Sequence, residues 1–393
     1  MAKYMIVLKA YKYRIKPNSE QIELFERSFG CVRFIYNHFL ELKTGMYANG
    51  KQKLTKYDMD SRLKTLKEEH PWLRNVNSQA LQAATFNLER AFTRFFREKK
   101  GFPKFKSKKF SKPSFTNPQF CSVDFDKGTI SIPKAKNVKA VLHRRFDGKV
   151  KCVTISKSAT GKYYASVLVE TEEKIPVKPE PSKDRSIGID LGLTHFAITS
   201  DGEKIDNPRF LRKSEERLRR LQRRFSRMTK GSNNRSKQRA KLAKLHEKVS
   251  NQRKDFLHQV SHSLVNESQV DALCIEDLNT KGMLQNRRLA KSISDVGWGM
   301  FRSFLQYKCD WSGKWLLDIG RFEPSSKTCS SCGYVNRELK LKDRRWLCPC
   351  GAQHDRDVNA AINIKGMAFS HSNLIRCIGL GLPESTLVEL SGC

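Results

Sequence analysis

Apolar positions recur along this chain with two different periods, and the switches between them mark its parts. Residues 7–16 alternate and predict a short strand, ended by Pro17. Asn18 or Ser19 then caps a predicted helix whose apolar stripe is Ile22, Phe25, Phe29, Val32, Ile35 and Phe39, at spacings of three and four. A second helix starts near Ser78, carries Leu81, Ala84, Leu88, Phe92 and Phe95, and stops at Gly101. Both stripes read as plain core faces. From 120 to 171 the period becomes two, in the runs 129–132, 150–155 and 163–169, with glycine turns between them. Short strands at that spacing predict a small barrel or sandwich. The first strand is expected to join it, which makes the helical pair an insertion into a β domain.

A proline-bearing stretch, 174–184 with Pro176, Pro179 and Pro181, predicts a linker. Beyond it the pattern gives strand, turn and strand through Asp190 to Thr199. A long helical hairpin is expected over 208–260. Leu211, Leu218 and Phe225 fall seven apart, with Leu221 and Met228 between them, and Leu242, Leu245, Val249 and Phe256 resume the stripe after a turn at 231–234. Its outer faces carry Arg219, Arg220, Arg223, Arg224, Arg239 and Lys241. A charged helix face is usually only solvated, but charges of one sign repel one another unless a polyanion lies alongside.

Charge extends that argument to the whole chain. Its 393 residues hold 75 Lys and Arg against 40 Asp and Glu, a formal net charge of +35. A polyphosphate is the matching counter-charge, because each neutralised phosphate releases counterions. General stickiness is the bland alternative, and it leaves the acidic residues described below unexplained. The segment 101–110 interleaves lysines, Lys104 and Lys106 among them, with phenylalanines. That suits phosphates plus base stacking, and equally a basic loop anchored by its aromatics. No apolar run approaches the ~18 residues of a membrane span, and no secretory leader is expected. Seven of the eleven cysteines are scattered singly (Cys31, Cys121, Cys152, Cys274, Cys309, Cys377 and Cys393), which reads as reduced thiols and a cytosolic compartment.

The other four are clustered. Cys329 and Cys332 form a C-x-x-C pair before Gly333, and Cys348 and Cys350 form a C-x-C pair before Gly351. Four thiolates at this spacing close a tetrahedral zinc ribbon, with His354 as a possible substitute ligand and disulfide pairing as the alternative. Such a zinc has no open position and serves the fold. Three acidic residues stand in contexts of their own. Asp190 lies in the strand-like run 186–192, Glu276 ends the strand-like run 270–275, and Asp357 opens a helix-like run just after the cysteines. Two strand-borne carboxylates and one helix-borne carboxylate are what a two-metal phosphodiesterase of the RNase H type needs, with Mg²⁺ or Mn²⁺ clamping the attacking and leaving oxygens.

Several motifs, in this order, carry a resemblance. They are 29–37 (Phe-Gly-Cys-Val-Arg-Phe-Ile-Tyr-Asn), 101–105 (Gly-Phe-Pro-Lys-Phe), 188–192 (Gly-Ile-Asp-Leu-Gly) and 292–298 (Ser-Ile-Ser-Asp-Val-Gly-Trp). They continue with 324–329 (Pro-Ser-Ser-Lys-Thr-Cys) and 354–361 (His-Asp-Arg-Asp-Val-Asn-Ala-Ala). The chain resembles the TnpB/OrfB family of insertion-sequence proteins, RNA-guided nucleases related to type V CRISPR effectors. The resemblance implies an α/β multi-domain fold: an RNase H-like (RuvC) nuclease domain with a zinc-ribbon insert, plus an N-terminal β-barrel domain carrying an inserted helical domain. It divides the chain into a barrel at 1–17 and 111–173, a helical insert at 18–110, and a split nuclease domain at 185–324 and 353–370. The zinc ribbon then covers 325–352 and a tail covers 371–393. By position, Asp190, Glu276 and Asp357 match the family's catalytic, metal-binding carboxylates, ahead of their neighbours Asp277 and Asp355. The C-x-C knuckle departs from the usual C-x-x-C. The implied partners are a guide RNA from the transposon end and double-stranded target DNA with a short flanking motif. Two Mg²⁺ (or Mn²⁺) and one structural Zn²⁺ are the implied metals, and the expected compartment is the prokaryotic cytosol, in association with the nucleoid; the oligomeric state stays open, with a monomer favoured. The rivals are a non-cutting RNA-guided DNA-binding repressor, a transposition accessory protein, and a transposase that joins strands itself.

Overall fold

The computed structural model describes residues 2–50, 52–340 and 342–370; the expected tail, with Cys377 and Cys393, lies outside them. Among the described residues the chain forms two compact units, one of residues 6–173 and one of residues 2–5 with those from Lys174 on. Among the described residues no helix is long and apolar enough to cross a membrane.

The first unit begins with strand β1 (Ala2–Lys16) and helix α1 (Ser19–Ala48). Asn18 accepts from the Gln21 amide while the Gln21 side chain returns to the Asn18 amide, so α1 starts at a reciprocal cap. Helices α2 (Lys56–Glu69) and α3 (Ser78–Arg97) follow, and then six strands: β2 (Ser114–Asn117), β3 (Ser122–Asp124), β4 (Thr129–Ile132), β5 (Ala135–Val141), β6 (Lys149–Lys157) and β7 (Tyr163–Pro176). Helix α2 escapes a periodicity reading because only Met59, Leu63 and Leu66 are buried in a charge-rich stretch.

The sheet order is β2-β6-β7-β1-β5-β4-β3, an open sheet with edges at β2 and β3 where the sequence suggests a barrel. Its core is continuous with that of the helices. Tyr13 and Ile15 of β1, Phe25 and Ile35 of α1, Leu81 and Leu88 of α3, and Ile155 and Val167 of the later strands belong to one buried cluster. The helical insertion and the β domain therefore bury their apolar faces together instead of forming two cores. The expected linker is also shorter, because β7 runs on to Pro176.

The second unit is built on strands β8 (Ser186–Leu191), β9 (His195–Thr199) and β10 (Lys204–Asp206), followed by the hairpin of α4 (Phe210–Arg227) and α5 (Asn233–His262). Strand β11 (Ala272–Glu276) comes next, then α6 (Thr280–Met283), α7 (Ala290–Val296), α8 (Trp298–Trp311) and β12 (Trp315–Ile319). The chain closes with β13 (Arg345–Leu347), β14 (Gln353–Asp355) and α9 (Arg356–Ala368). The sheet order is β10-β9-β8-β11-β12; β8, β11 and β12 are mutually parallel, β9 pairs antiparallel with both β8 and β10, and β9 alone runs against the rest.

Two-residue alternation sorts this sheet into faces. Ile187 and Ile189 of β8 and Leu273 and Ile275 of β11 join Leu257, Phe301 and Leu305 in one cluster, under α5 and α8. Ala272 and Cys274 point the other way and join Leu317, Ile319 and Ile364, under α9. Gly188 lies on that second face, and a Cβ there would meet the Ala361 carbonyl oxygen at 2.0 Å and the Lys365 amide at 2.8 Å. The missing side chain lets α9 lie directly on β8.

Candidate active site

The same alternation continues to the strand ends. Asp190 follows Gly188 by two residues and Glu276 follows Cys274 by two, so both fall on the face that α9 covers. The strands are paired in register, Ile189 opposite Ile275, which makes these two acids neighbours across the ladder. Asp357 stands in the first turn of α9, the end of the helix that favours negative charge. Burial, then the charges of Glu276 and Asp357, push the Asp190 carboxyl up to about 7, against a smaller opposing pull from Arg356. Three carboxylates brought together in this way form an all-oxygen donor set suited to hard divalent cations.

Each acid has a distinct neighbour. The Ser325 hydroxyl donates to Glu276 Oε1 at 2.5 Å, and the Arg344 guanidinium lies 3.1 Å from Asp357 Oδ2. Arg344 also donates to the Thr194 hydroxyl at 3.4 Å. The two runner-up acids are occupied differently. Asp355 is the N-cap of α9, accepting from the amides of Asp357 and Val358, and it pairs with Lys204 at 2.6 Å. Asp277 pairs with Arg321 at 2.7 Å.

The cysteine cluster is compact. The Sγ atoms of Cys329, Cys332, Cys348 and Cys350 all lie within 4.8 Å of one another, with Cys329 and Cys350 at 3.8 Å and Cys332 and Cys348 at 3.6 Å. A tetrahedron with metal–sulfur bonds of about 2.3 Å has edges of about 3.8 Å, so these separations fit zinc. They exclude disulfides, whose sulfurs sit about 2.05 Å apart. Gly333 (φ +78°) and Gly351 (φ +88°) turn the chain after each pair in a conformation that side chains resist, so the C-x-C knuckle closes as the C-x-x-C does. Burial would raise the Cys329 thiol, but the amides of Cys332 and Ser331 and the side chain of His354 bring it down to about 5. His354 is buried with Nε2 3.0 Å from Cys329 Sγ, within hydrogen-bond reach of one thiol of the four-cysteine group.

Two asparagines link the centres. Asn359 donates to the Thr328 carbonyl at 2.7 Å and accepts from the Ser330 amide at 3.0 Å; Asn363 donates to the Ser325 carbonyl at 2.7 Å and to that of Thr328. Both are buried. They fix to α9 the segment that carries Ser325 at one end and Cys329 at the other. Sequence reasoning missed them, along with Ser325 and Arg344. The available signal was a pair of asparagines four apart on the otherwise apolar face of a helix.

The expected nucleic-acid contacts divide. Lys104 is exposed, but Lys106 is held: its ammonium lies 3.8 Å from the centre of the Tyr36 ring, and its backbone is clasped by Asn37 at 2.7 and 2.8 Å. Lys106 anchors its loop. On the hairpin Arg220, Arg223, Arg224, Arg239 and Lys241 are exposed, while Arg219 pairs with Glu215 at 2.9 Å.

The family profile OrfB_IS605, described as "Probable transposase", matches residues 166–287. A profile for the Cas12f1-like TNB domain matches residues 298–364. A relative from Streptomyces pristinaespiralis, named "Putative RNA-guided DNA endonuclease", is 39% identical over 371 residues, covering 93% of this chain and 90% of its own. The chain belongs to the TnpB/OrfB family. Another member, the Escherichia coli K12 protein "Putative RNA-guided DNA endonuclease InsQ", is 33% identical over 385 residues, 93% of each chain. The family's helix-turn-helix profile matches residues 5–52, which here form a strand and a single helix. Among solved structures, a Cas12f1–sgRNA–target DNA complex covers 92% of this chain and 99% of that one, at 14% identity and a TM-score of 0.49.

Proposed function

We propose that this TnpB/OrfB protein is an RNA-guided DNA endonuclease whose RuvC-type, RNase H-like site hydrolyses phosphodiesters with two divalent ions. The observation that carries the reading is the convergence of Asp190, Glu276 and Asp357 on the face of the sheet under α9, with Asp190 driven up to about 7 by burial and by the other two. Strand order β10-β9-β8-β11-β12, with β9 alone running against the other four strands, is the arrangement expected of that nuclease fold.

When bound, the two ions supply charge for the attacking and leaving oxygens and acidify a water. Asp190, on the central strand, would hold the ions together with Glu276 and Asp357. Ser325 orients the Glu276 carboxylate. The Arg344 guanidinium beside Asp357 is already a cation drawn to that carboxylate. The four thiolates would hold one zinc that braces the segment reaching Ser325. Relatives bearing the name "Putative RNA-guided DNA endonuclease" support a guide RNA and a DNA target. The guide would come from the transposon end, base pairing would read sequence, and the protein would read a short flanking motif.

The test is plasmid cleavage by the protein with its co-purifying RNA, in Mg²⁺ and in EDTA, beside filter binding. Asp190→Ala, Glu276→Ala and Asp357→Ala should each abolish cutting and keep RNA binding. Wild-type protein that binds RNA and DNA and never cuts in Mg²⁺ would establish the repressor reading instead. Full cutting by Glu276→Ala would move that role to Asp277.

A further inference from the structure

An aromatic ring stands uncovered on the segment that is bonded to Glu276 and Asp277. Phe322 is 93% exposed, the most exposed of the large apolar side chains among the described residues. Burying such a ring normally stabilises a fold, and the folded chain forgoes that gain here. The exposure does not come from a loose loop. Glu323 Oε1 accepts from the Gly320 amide at 2.9 Å, the Glu323 amide returns to the Gly320 carbonyl at 3.2 Å, and the Ser325 amide donates to the Glu323 carbonyl at 2.8 Å. Pro324 stiffens the turn further.

Both flanks of the ring are tied to the acidic end of β11. Arg321, immediately before it, pairs with Asp277 at 2.7 Å, and Ser325, three residues after it, donates to Glu276 at 2.5 Å. The ring is therefore held out to solvent by a braced turn fastened on either side to two consecutive residues, one of them an acid of the candidate site.

We propose that Phe322 is a stacking platform for an unpaired nucleobase adjoining the phosphodiester bound at Asp190, Glu276 and Asp357. A nucleic acid offers two surfaces, phosphates and base faces; the carboxylates and their ions answer the first, and an exposed flat ring answers the second. In an intact duplex the base faces cover one another, so a ring in this position selects a strand already melted at the cut. This inference rests on the nuclease reading.

Two measurements test it. A single-stranded DNA oligonucleotide carrying 5-iodouracil is irradiated with the full-length protein in EDTA, and the crosslinked peptide is mapped. An adduct on Phe322 supports the platform, and adducts that avoid Phe322 at every placement of the probe overturn it. Cleavage is then compared among Phe322→Ala, Phe322→Leu and Phe322→Trp. Stacking predicts a KM raised about 5- to 150-fold in the Ala and Leu variants, kept near wild type by Trp, with RNA binding and melting temperature unchanged. Leu restoring what Ala loses would mean that bulk alone matters, and would sink the proposal. Failure of the wild type to cut in Mg²⁺ would count against the nuclease reading, while the crosslink, read in EDTA, still decides whether Phe322 stacks on a base.

Discussion

Asp190 ties stability to function at the scale of one residue. Its folded-state affinity for a proton is raised to about 7 by burial and by Glu276 and Asp357, above the ordinary aspartate value of 3.8. A carboxyl raised in this direction stabilises the fold fully below about pH 4, and that contribution is lost as pH rises through 7. In the metal-free protein that contribution is on the order of a few kcal/mol. Asp190→Asn, melted in EDTA, should therefore be more stable than wild type at pH 8 and lose that advantage towards pH 4. A gap that does not change with pH would mean that neither burial nor the two neighbouring acids raises Asp190. Residue chemistry of this kind was legible in the sequence, since each acid sits at the end or start of its own periodic run. Choosing between neighbours was legible only in part: Asp355 as the cap of α9 and Asp277 as the partner of Arg321 need the folded chain. So do Ser325 and Arg344, which reach the site from irregular segments that carry no period.

At the scale of elements, one contact sets the register of the site: α9 on β8 at Gly188. An alanine Cβ there would lie 2.0 Å from the Ala361 carbonyl oxygen and 2.8 Å from the Lys365 amide, both backbone atoms that no rotamer change can move aside. Helix α9 would have to lift, carrying Asp357, Asn359 and Asn363 with it. Gly188→Ala should lower stability by about 1–3 kcal/mol, typical of overpacking, and should reduce cutting far more than the lost folded fraction explains. Denaturant titration and plasmid cleavage on the same preparation measure both; cutting at the wild-type rate would show that α9 does not set the spacing of the acids. Elements with strong stripes, α1 and α3, were readable from periodicity, whereas α2 hid its three apolar contacts among charges. Sheet order was not readable at all. Strand β1 pairs with β5 more than a hundred residues away, Ile15 opposite Ala140, and local alternation cannot name a distant partner or tell an open sheet from a barrel.

For the whole molecule the governing quantity is a net charge of +35, and the hairpin concentrates it. Helices α4 and α5 carry sixteen Lys and Arg against four Asp and Glu. The hairpin is held by other means: Leu218 and Leu245 are buried, Gln238 donates to the Leu221 carbonyl at 3.2 Å, and Arg235 donates to the Phe225 carbonyl at 3.0 Å while lying over the Phe225 ring. Replacing Arg219, Arg220, Arg223 and Arg224 by Gln leaves all of those contacts in place, so melting temperature should hold or rise slightly as like charges are removed. If these residues track a nucleic acid, RNA affinity at physiological salt should fall. The log–log salt slope should flatten by about 0.9 for each lost phosphate on a duplex, or about 0.7 on a single strand. Arg219, which already shares Glu215, should contribute the least of the four. Unchanged affinity with an unchanged slope would make this face a solvated one and would send the search for the RNA path to the other basic surfaces. A lowered affinity with an unchanged slope would mean that the arginines act through the shape of the hairpin and not through phosphate contact.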